Sequence, residues 1–115
     1  MAIDFDQTTI TYLDSHVPDN LAGAYGLEFA KMGLWFVNDE YQRTHHQPDP
    51  RAWTLIGSTQ ETVPQQTNDR DCGVYTCLLA NSVMQNHSMT LSPTQVREAR
   101  KHLALALIQG EALSW

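Results

Sequence analysis

Cys72 is the residue in this sequence best placed to act as a nucleophile. A polar segment, residues 63–71, precedes it and apolar residues at helical spacing follow it, so the pattern puts Cys72 on the first turn of a helix. The unpaired backbone N–H groups and the positive end of the helix dipole at that position favour a thiolate over a thiol. The matching chemistry is attack on a carbonyl carbon, the first step of acyl transfer.

A side-chain amide just before the cysteine adds a second element of that chemistry. Gln65 and Gln66 both lie in the polar segment, and either can direct N–H donors at the oxyanion that forms during acyl transfer. Judged by spacing alone, an equally good interpretation is a polar loop leading into a buried helix that carries a structural cysteine.

Composition limits the classes of function. The chain has 115 residues, 42% of them hydrophobic and 17% charged, which is typical of one small globular domain. The formal net charge is −6 and the seven basic residues are scattered, so we predict no nucleic-acid partner. No apolar run is long enough to cross a bilayer, and the N-terminus lacks the features of a signal peptide. We therefore expect a soluble protein without membrane contact, located inside the cell in the nucleus or cytoplasm.

Cys77 lies five residues after Cys72 on the same predicted helix. That spacing puts the two on different faces and out of disulfide reach, so both are predicted to be free thiols, as suits a reducing compartment. Cys77 is predicted to be a small core residue. No cofactor is expected, and the adjacent His45 and His46 have too few neighbouring ligands to predict a metal site.

The elements that position Cys72 follow from hydrophobic periodicity. Apolar residues alternate on both sides of a turn at residues 6–8, which predicts a strand hairpin with one buried face. Residues 17–20 supply helix-start signals, and helical spacing continues to about Arg43. A polar loop is predicted at residues 44–50 and a buried strand at residues 53–57.

Two helices complete the predicted order of hairpin, helix, strand and two helices. The first covers about residues 72–85; the second begins at Ser92, which caps it in a box with Gln95, and ends at Gly110. Their inward stripes are predicted to be Val74, Cys77, Leu78 and Val83 or Met84 on the first, and Val96, Ala99, Leu103 and Leu107 on the second. Residues 1–115 are interpreted as a single α+β domain.

The segment Pro-Gln-Gln-Thr-Asn-Asp-Arg-Asp-Cys-Gly-Val, residues 64–74, resembles the nucleophile motif of the ubiquitin-like-modifier (SUMO, or sentrin-specific) cysteine proteases. The resemblance implies that Cys72 is the catalytic nucleophile and Gln66 the oxyanion-hole glutamine. Residues 10–15, Ile-Thr-Tyr-Leu-Asp-Ser, are similar to a family strand whose aspartate orients the catalytic histidine, which implies that role for Asp14. The other matching residues of the nucleophile motif are interpreted as shaping the turn: Asn68, Asp71 and Gly73.

The resemblance also implies a fold and a function. It spans nearly the whole chain but covers the second half of the family's catalytic domain, so residues 1–115 are expected to form part of a papain-like cysteine protease fold of the ubiquitin-like protease type. The implied activity is a cysteine-type peptidase or isopeptidase that cleaves after the C-terminal glycine of SUMO or a related modifier. The modifier and its conjugates are the implied partners; which modifier is recognised is not readable, because the selecting residues lie largely upstream in the family.

The family's catalytic histidine has no counterpart here. In the family it precedes a tryptophan upstream of the aspartate strand, whereas the first histidine of this chain, His16, follows Asp14, and no His-Trp pair occurs. None of the five histidines is predicted to substitute, so the chain alone is expected to be inactive, and to self-associate or be completed by an N-terminal half. Two alternatives remain: a non-catalytic interaction module on a degenerate protease scaffold, and a related acetyltransferase chemistry, which the full nucleophile motif disfavours.

Overall fold

Six elements follow one another along the chain in the order that the sequence predicts. The computed structural model describes residues 1–19, 21 and 24–112. The elements are β1 (Ala2–Asp4), β2 (Thr9–Thr11), α1 (Leu27–His45), β3 (Thr54–Ile56), α2 (Cys72–Met84) and α3 (Pro93–Gln109). The predicted α+β class is confirmed.

The three strands form one sheet in the order β1-β2-β3. β1 and β2 are antiparallel, with Ile3 opposite Ile10, and β2 and β3 are parallel, with Ile10 opposite Leu55. The hairpin closes where a carboxylate oxygen of Asp4 accepts the backbone N–H groups of residues 6 and 7, both at 2.9 Å. The prediction that residues 53–57 form a buried strand is wrong in its burial, because β3 is an edge strand in which Leu55 is half-buried and its two neighbours are exposed.

Helix α1 begins later than its sequence signals predict. The expected start at residues 17–20 is wrong: residues 17–19 are not helical, and residue 20 lies outside the described part of the chain. Tyr25 instead pairs with Ser58 through two backbone hydrogen bonds of 2.7 and 2.8 Å, which keep the chain extended there. Gly26 then takes a left-handed conformation, φ 86°, and the helix begins at Leu27.

The C-terminal end of α1 also differs from the prediction. The helix runs to His45, two residues into the expected polar loop of residues 44–50. It ends at His46, whose backbone takes the left-handed conformation, φ 56°, while its N–H donates to the carbonyl oxygen of Gln42 at 2.8 Å. This is a common way for a helix to stop, because the left-handed residue turns the chain away while satisfying a terminal carbonyl.

Two separate apolar clusters hold the described chain together. One lies between the sheet and α1, which we call the sheet unit, and the other lies between α2 and α3, which we call the helical pair. The fully buried residues are Ile10, Ala30 and Val37 in the sheet unit and Val74, Leu78 and Ala99 in the helical pair. Because each cluster is small, the contacts between the two units decide how the units are positioned relative to each other.

The buried face of α2 is rotated from the predicted one. Cys77 is exposed, which contradicts the predicted core role, and Val83 and Met84 are exposed as well. The residues that face inward are Val74, Tyr75, Leu78, Leu79 and Ser82. The periodicity of α2 is ambiguous because apolar residues occur around most of the helix, and packing against α3 selects one side. Both cysteines are free thiols, as predicted.

Helix α3 begins and ends as predicted. The Ser92 hydroxyl accepts the N–H of Gln95 at 3.1 Å, the Gln95 side chain accepts the N–H of Ser92 at 2.8 Å, and Gly110 ends the helix with φ 67°. The predicted stripe is wrong at Leu107, which is 83% exposed, because the last turns of α3 run beyond the cluster centred on Ala99. None of the helices in the described residues has both the length and the apolarity to cross a membrane.

Candidate active site

The three site residues predicted from the sequence line one open cleft. Cys72, Asp14 and Gln66 border a space of about 720 Å³, and His16 borders it as well. β1 and the exit of β2 form one wall, while α2 forms the other. The fold therefore brings together residues that are up to 58 positions apart, counting from 14 to 72.

Cys72 is the first residue of α2, as predicted. Its thiol is exposed, and Asp71 precedes it at the N-cap position without capping the helix through its side chain. The first helical bond runs from the N–H of Tyr75 to the carbonyl oxygen of Asp71, 2.9 Å. The Asp71 side chain therefore leaves the backbone N–H groups of the first turn uncapped.

The loop that leads to Cys72 is tied together by its own side chains. Asn68 accepts the N–H groups of Arg70 and Asp71 at 2.8 and 3.0 Å, and donates to a carboxylate oxygen of Asp71 at 2.8 Å. Arg100, from α3, donates to the other carboxylate oxygen of Asp71 at 2.8 Å. The Asn68 hydrogen bond and the Arg100 guanidinium hold the pKa of Asp71 below its usual value.

These contacts agree with the expectation that Asn68 and Asp71 shape the turn. The same expectation for Gly73 is not supported, because a Cβ atom at that position would meet no described atom within 4 Å, and its φ is not positive. The turn before α2 is therefore held by an asparagine, an aspartate and an arginine, and no contact among the described residues requires a glycine at position 73.

Gln66 lies in the cleft with both ends of its amide engaged. Its Oε1 accepts from the Ser15 hydroxyl at 2.7 Å, and its Nε2 donates to the carbonyl oxygen of Asn68 at 2.5 Å. Its backbone N–H also donates to the carbonyl oxygen of Ser15, at 2.7 Å. The second hydrogen on Nε2 has no acceptor among the described residues, so this amide keeps one donor for a ligand.

Gln65 has no such donor to spare. Its Nε2 donates to the carbonyl oxygens of Asp14 and Val63 at 3.1 and 2.9 Å, and its Oε1 accepts the N–H of Val17 at 2.8 Å. Both amide hydrogens are therefore used on the main chain. The sequence leaves Gln65 and Gln66 as alternatives, and the count of free donors favours Gln66.

The two glutamines join the two units of the molecule. Together with residues 14–17 they form a set of hydrogen bonds that we call the polar seam. The buried Ser58 extends it, accepting the N–H of Asp14 at 2.9 Å and donating to the carbonyl oxygen of Tyr12 at 2.6 Å. The position of Asp14 relative to Cys72 thus depends on polar contacts across this seam.

The carboxylate of Asp14 is oriented by two donors. The Tyr12 hydroxyl donates to Oδ2 at 3.1 Å, and the backbone N–H of His16 donates to Oδ1 at 2.8 Å. Burial and the Asp14 carboxylate raise the pKa of Tyr12 to about 12. The Tyr12 ring stacks on Phe29, with centroids 5.0 Å apart, and lies where a Cβ atom of Gly26 would be. The start of α1 therefore helps to orient the carboxylate.

Sequence reasoning did not identify Tyr12 and Ser15 as parts of the site. Both lie in the Tyr-Leu-Asp-Ser segment, in which the family resemblance assigns a role to the aspartate alone. Alternation along an extended chain puts residues 12 and 14 on the same side, so the first contact has a sequence signal. The contact between Ser15 and Gln66 links positions 51 residues apart, and local pattern gives no sign of it.

The histidines are distributed over the molecule. His16 is exposed at the edge of the cleft, whereas His45 stacks on Tyr41 at 4.0 Å between ring centroids, at the far end of α1. His46 follows at the end of that helix, His87 lies beyond α2, and His102 is on α3. Of the histidines in the described residues, His16 is the one that borders the cleft. Within the same residues no group of three or more potential metal ligands occurs.

An exposed cysteine at a helix start, a glutamine amide and a strand-exit aspartate around one cleft of an α+β domain are the features of a cysteine protease of the papain-like type. Residues 1–110 match the model of the Ulp1 protease family, C-terminal catalytic domain. The chain belongs to this family of cysteine proteases, and its fold is the papain-like fold of that family, which confirms the resemblance drawn from the two motifs.

Individual relatives agree with the family match. The chain is similar to sentrin-specific protease 2 of Homo sapiens, with 26% identity over 115 residues that make up 98% of this chain and 18% of the relative. It is 25% identical to sentrin-specific protease 2 of Mus musculus over the same shares of the two chains, 98% and 18%. The chain thus spans less than a fifth of the length of the curated relatives it matches.

Proposed function

We propose that this chain forms part of a cysteine peptidase or isopeptidase that cleaves after the C-terminal glycine of SUMO or a related ubiquitin-like modifier. The observation that carries the proposal is the meeting of Cys72, Gln66 and Asp14 around one cleft in a chain of the Ulp1 protease family. The names of the relatives, which are sentrin-specific proteases, support the choice of modifier class.

In the proposed reaction, the Cys72 thiolate attacks the carbonyl carbon of the modifier's terminal glycine. The carbonyl oxygen takes the negative charge, and the free Nε2 hydrogen of Gln66 stabilises it. Collapse of the tetrahedral intermediate breaks the bond to the leaving amine, which takes a proton, and leaves a thioester on Cys72. Water then attacks the thioester, releasing the modifier with a free carboxylate and returning the thiol.

Proton transfer in this scheme needs an imidazole, which Asp14 orients. A carboxylate has about four acceptor positions, and Tyr12 and the His16 N–H fill two of them, so Asp14 can still accept an imidazole N–H. We propose that this imidazole comes from outside the 115 residues. His16 itself is tied to Asp14 through its backbone, and its ring would have to fold back across the carboxylate to lie between Asp14 and Cys72.

The proposed partners are SUMO or a related modifier, its conjugates, and protein that completes the domain. The α2 wall of the cleft carries exposed apolar side chains, with Met84 86% and Val83 37% exposed. Apolar surface of this kind is normally covered. An N-terminal half or a second copy of the chain is the proposed cover, and the nucleus or cytoplasm is the proposed location.

The alternative is a non-catalytic interaction module on a degenerate protease scaffold. The observation that favours it is that His16 is the one imidazole bordering the cleft in the described residues, and that it is poorly placed. Under this alternative the modifier still binds, but Cys72 forms no bond to it.

The experiment is intact-mass analysis after incubation with a panel of ubiquitin-like modifiers that carry a C-terminal electrophile. Two forms are tested: the 115-residue chain alone, and the completed protein, which is the chain together with the N-terminal half proposed to complete it. Each form is prepared as wild type, Cys72→Ala and Cys77→Ala. Cys77 is the matched control because it is also free and exposed, one and a half turns along the same helix. We expect the completed protein to form an adduct with a SUMO-type modifier, lost in Cys72→Ala and kept in Cys77→Ala, and the chain alone to form none.

Two other outcomes would each contradict a named part of the proposal. A folded completed protein that binds a modifier and forms no adduct would establish the non-catalytic module. Rapid adduct formation by the 115-residue chain, dependent on Cys72, would show that an imidazole within the chain completes the site, and the proposed outside source would be wrong.

A further inference from the structure

Ser15 is bonded twice to Gln66, once by its side chain and once by its backbone. Its hydroxyl donates to Oε1 of Gln66 at 2.7 Å, and its carbonyl oxygen accepts the Gln66 N–H, also at 2.7 Å. The residue is 7% exposed, so water has little access to replace the hydroxyl. A buried, double connection of this kind holds the Gln66 side chain close to one position.

The orientation of the Gln66 amide is decided by its two neighbours. The carbonyl oxygen of Asn68 lies 2.5 Å from Nε2, and rotating the amide by half a turn would put two carbonyl oxygens at that separation. Two acceptors repel at such a distance, so Asn68 requires the nitrogen on its side. The Ser15 hydroxyl supplies the donor that the oxygen then needs on the other side. Together they leave the second Nε2 hydrogen, on a residue that lines the cleft, without an acceptor among the described residues.

We propose that Ser15 is a positioning residue that holds the Gln66 amide with its N–H facing the reacting carbonyl group. The inference rests on the proposed function, since it assigns Ser15 a task in the oxyanion site. Ser15 makes no hydrogen bond to Cys72 in the described structure, and it acts through Gln66. Without the hydroxyl, the amide is held only through its Nε2 by the Asn68 carbonyl oxygen, and it can swing about its last torsion, which has a broad energy profile. Its second N–H is then less well preorganised for the oxyanion.

Ser58 provides a matched control. It is also a buried serine, 0% exposed, and its hydroxyl is bonded to the same strand exit, accepting the Asp14 N–H and donating to the Tyr12 carbonyl oxygen. It makes no hydrogen bond to Gln66 in the described structure. Ser58→Ala therefore removes a hydroxyl of similar burial without releasing the amide.

The first test measures the amide itself and needs no activity. In ¹⁵N-edited spectra of the 115-residue chain, we expect the two Nε2 protons of Gln66 to give separate signals that exchange slowly with water. Ser15→Ala should move both towards the values of a free glutamine, and Ser58→Ala should leave them near the wild-type positions. Ser15→Cys, measured under reducing conditions, keeps the shape of the side chain but replaces the hydroxyl with a larger, more weakly donating thiol. It replaces Ser15→Ala if that variant does not fold. Unchanged Gln66 signals in a folded Ser15 variant, or equal changes in the Ser15 and Ser58 variants, would overturn the inference.

The second test is a double-mutant cycle on cleavage of a modifier C-terminal amide by the completed protein. Removing one oxyanion donor typically lowers kcat by about 100- to 1,000-fold. We expect Gln66→Ala to fall in that range, and Ser15→Ala to lower kcat about tenfold with KM unchanged. In the Gln66→Ala background, Ser15→Ala should lower kcat no further. The effect of Ser58→Ala on kcat should instead multiply with that of Gln66→Ala. A multiplicative Ser15 effect would overturn the inference.

The two tests separate failure of the inference from failure of the proposed function. If the wild-type protein binds a modifier but shows no Cys72-dependent cleavage, the proposed function is wrong. The amide spectra then still decide whether Ser15 holds Gln66. If cleavage occurs and the spectra do not respond to Ser15→Ala, the function stands and the role of Ser15 is wrong.

Discussion

The sheet unit and the helical pair are stabilised in similar ways but contribute differently to the site. Each has a small apolar cluster centred on one large, fully buried side chain, Ile10 in the first and Leu78 in the second. The sheet unit supplies Asp14 at a strand exit, and the helical pair supplies Cys72 at a helix start. Gln66 lies between them, in the polar seam.

The comparison shows that the site lies between the two apolar clusters and not within either of them. Within each unit, side chains exclude water and the geometry is set by shape. Between the units, hydrogen bonds of defined length and direction set the geometry, which suits groups that must meet at specific angles. The three predictions below test this division between units and seam, beginning with the largest expected effect.

Truncating the centre of either cluster is expected to have the largest effect on stability. Leu78→Ala and Ile10→Ala each remove a side chain that is at most 1% exposed, and each should lower the free energy of unfolding by about 2–5 kcal/mol. If the units are separable, Leu78→Ala will speed amide hydrogen exchange in α2 and α3 while the sheet unit keeps its protection. Ile10→Ala should show the reverse pattern. Equal loss of protection in both units would mean that the clusters fold as one.

Gly26→Ala is expected to have an intermediate effect, located next to the site. Its φ of 86° is strained for alanine, and the added Cβ would lie 1.9 Å from an atom of the Tyr12 ring. We expect strain and overpacking together to lower the free energy of unfolding by about 3 kcal/mol. The pKa of Tyr12 should fall from about 12 towards its usual value as the displaced ring loses burial and moves away from Asp14.

Gly110→Ala is the matched control for Gly26→Ala. Gly110 also has a positive φ, 67°, but a Cβ there would meet no described atom within 4 Å. Gly110→Ala should lower the free energy of unfolding only through backbone strain, by about 1 kcal/mol. Chemical denaturation measures both losses, and a spectrophotometric titration follows Tyr12. Equal losses of unfolding free energy at the two glycines would show that the contact between Tyr12 and the start of α1 contributes nothing to stability.

The smallest expected effect concerns the acid stability of the nucleophile loop. The pKa of Asp71 is lowered in the folded protein, so its contribution to stability is present above its unfolded pKa, about 4, and is lost as the pH falls through the lower folded value. Arg100→Gln removes the ion pair to Asp71, although the Asn68 hydrogen bond remains. The midpoint of acid unfolding should therefore move to higher pH by a fraction of a unit.

Lys101→Gln provides the control for Arg100→Gln. Lys101 is the next residue on α3, and its ion pair is with Glu98 on the same helix. Far-UV circular dichroism against pH measures both midpoints at low salt. An unchanged midpoint in Arg100→Gln, or the same shift in Lys101→Gln, would show that α3 does not hold the loop through Asp71.

Sequence pattern predicts well the features that depend on near neighbours. The hairpin turn, the capping box at Ser92, the helix end at Gly110 and the start of α2 at Cys72 all depend on residues a few positions apart. The two motifs predict the family, which the match over residues 1–110 confirms. The assignment of Cys72, Asp14 and Gln66 as catalytic residues stays a prediction, although the structure puts all three around one cleft.

The failures of sequence reasoning concern burial and long-range contacts. Tyr25 pairs with Ser58 and delays the start of α1, and packing against α3 turns Cys77 outward. Neither effect has a local signal, because each depends on a partner far along the chain.

The sequence by itself determined the order of the elements, the free state of the two cysteines and the position of Cys72 at a helix start, because local propensity and capping govern these features. The tertiary structure alone decided which glutamine keeps a free donor and how the Asp14 carboxylate is held. It also decided that Ser15 meets Gln66. Those outcomes depend on hydrogen bonds between segments about 50 residues apart, whose distances and directions exist only after the two units are brought together.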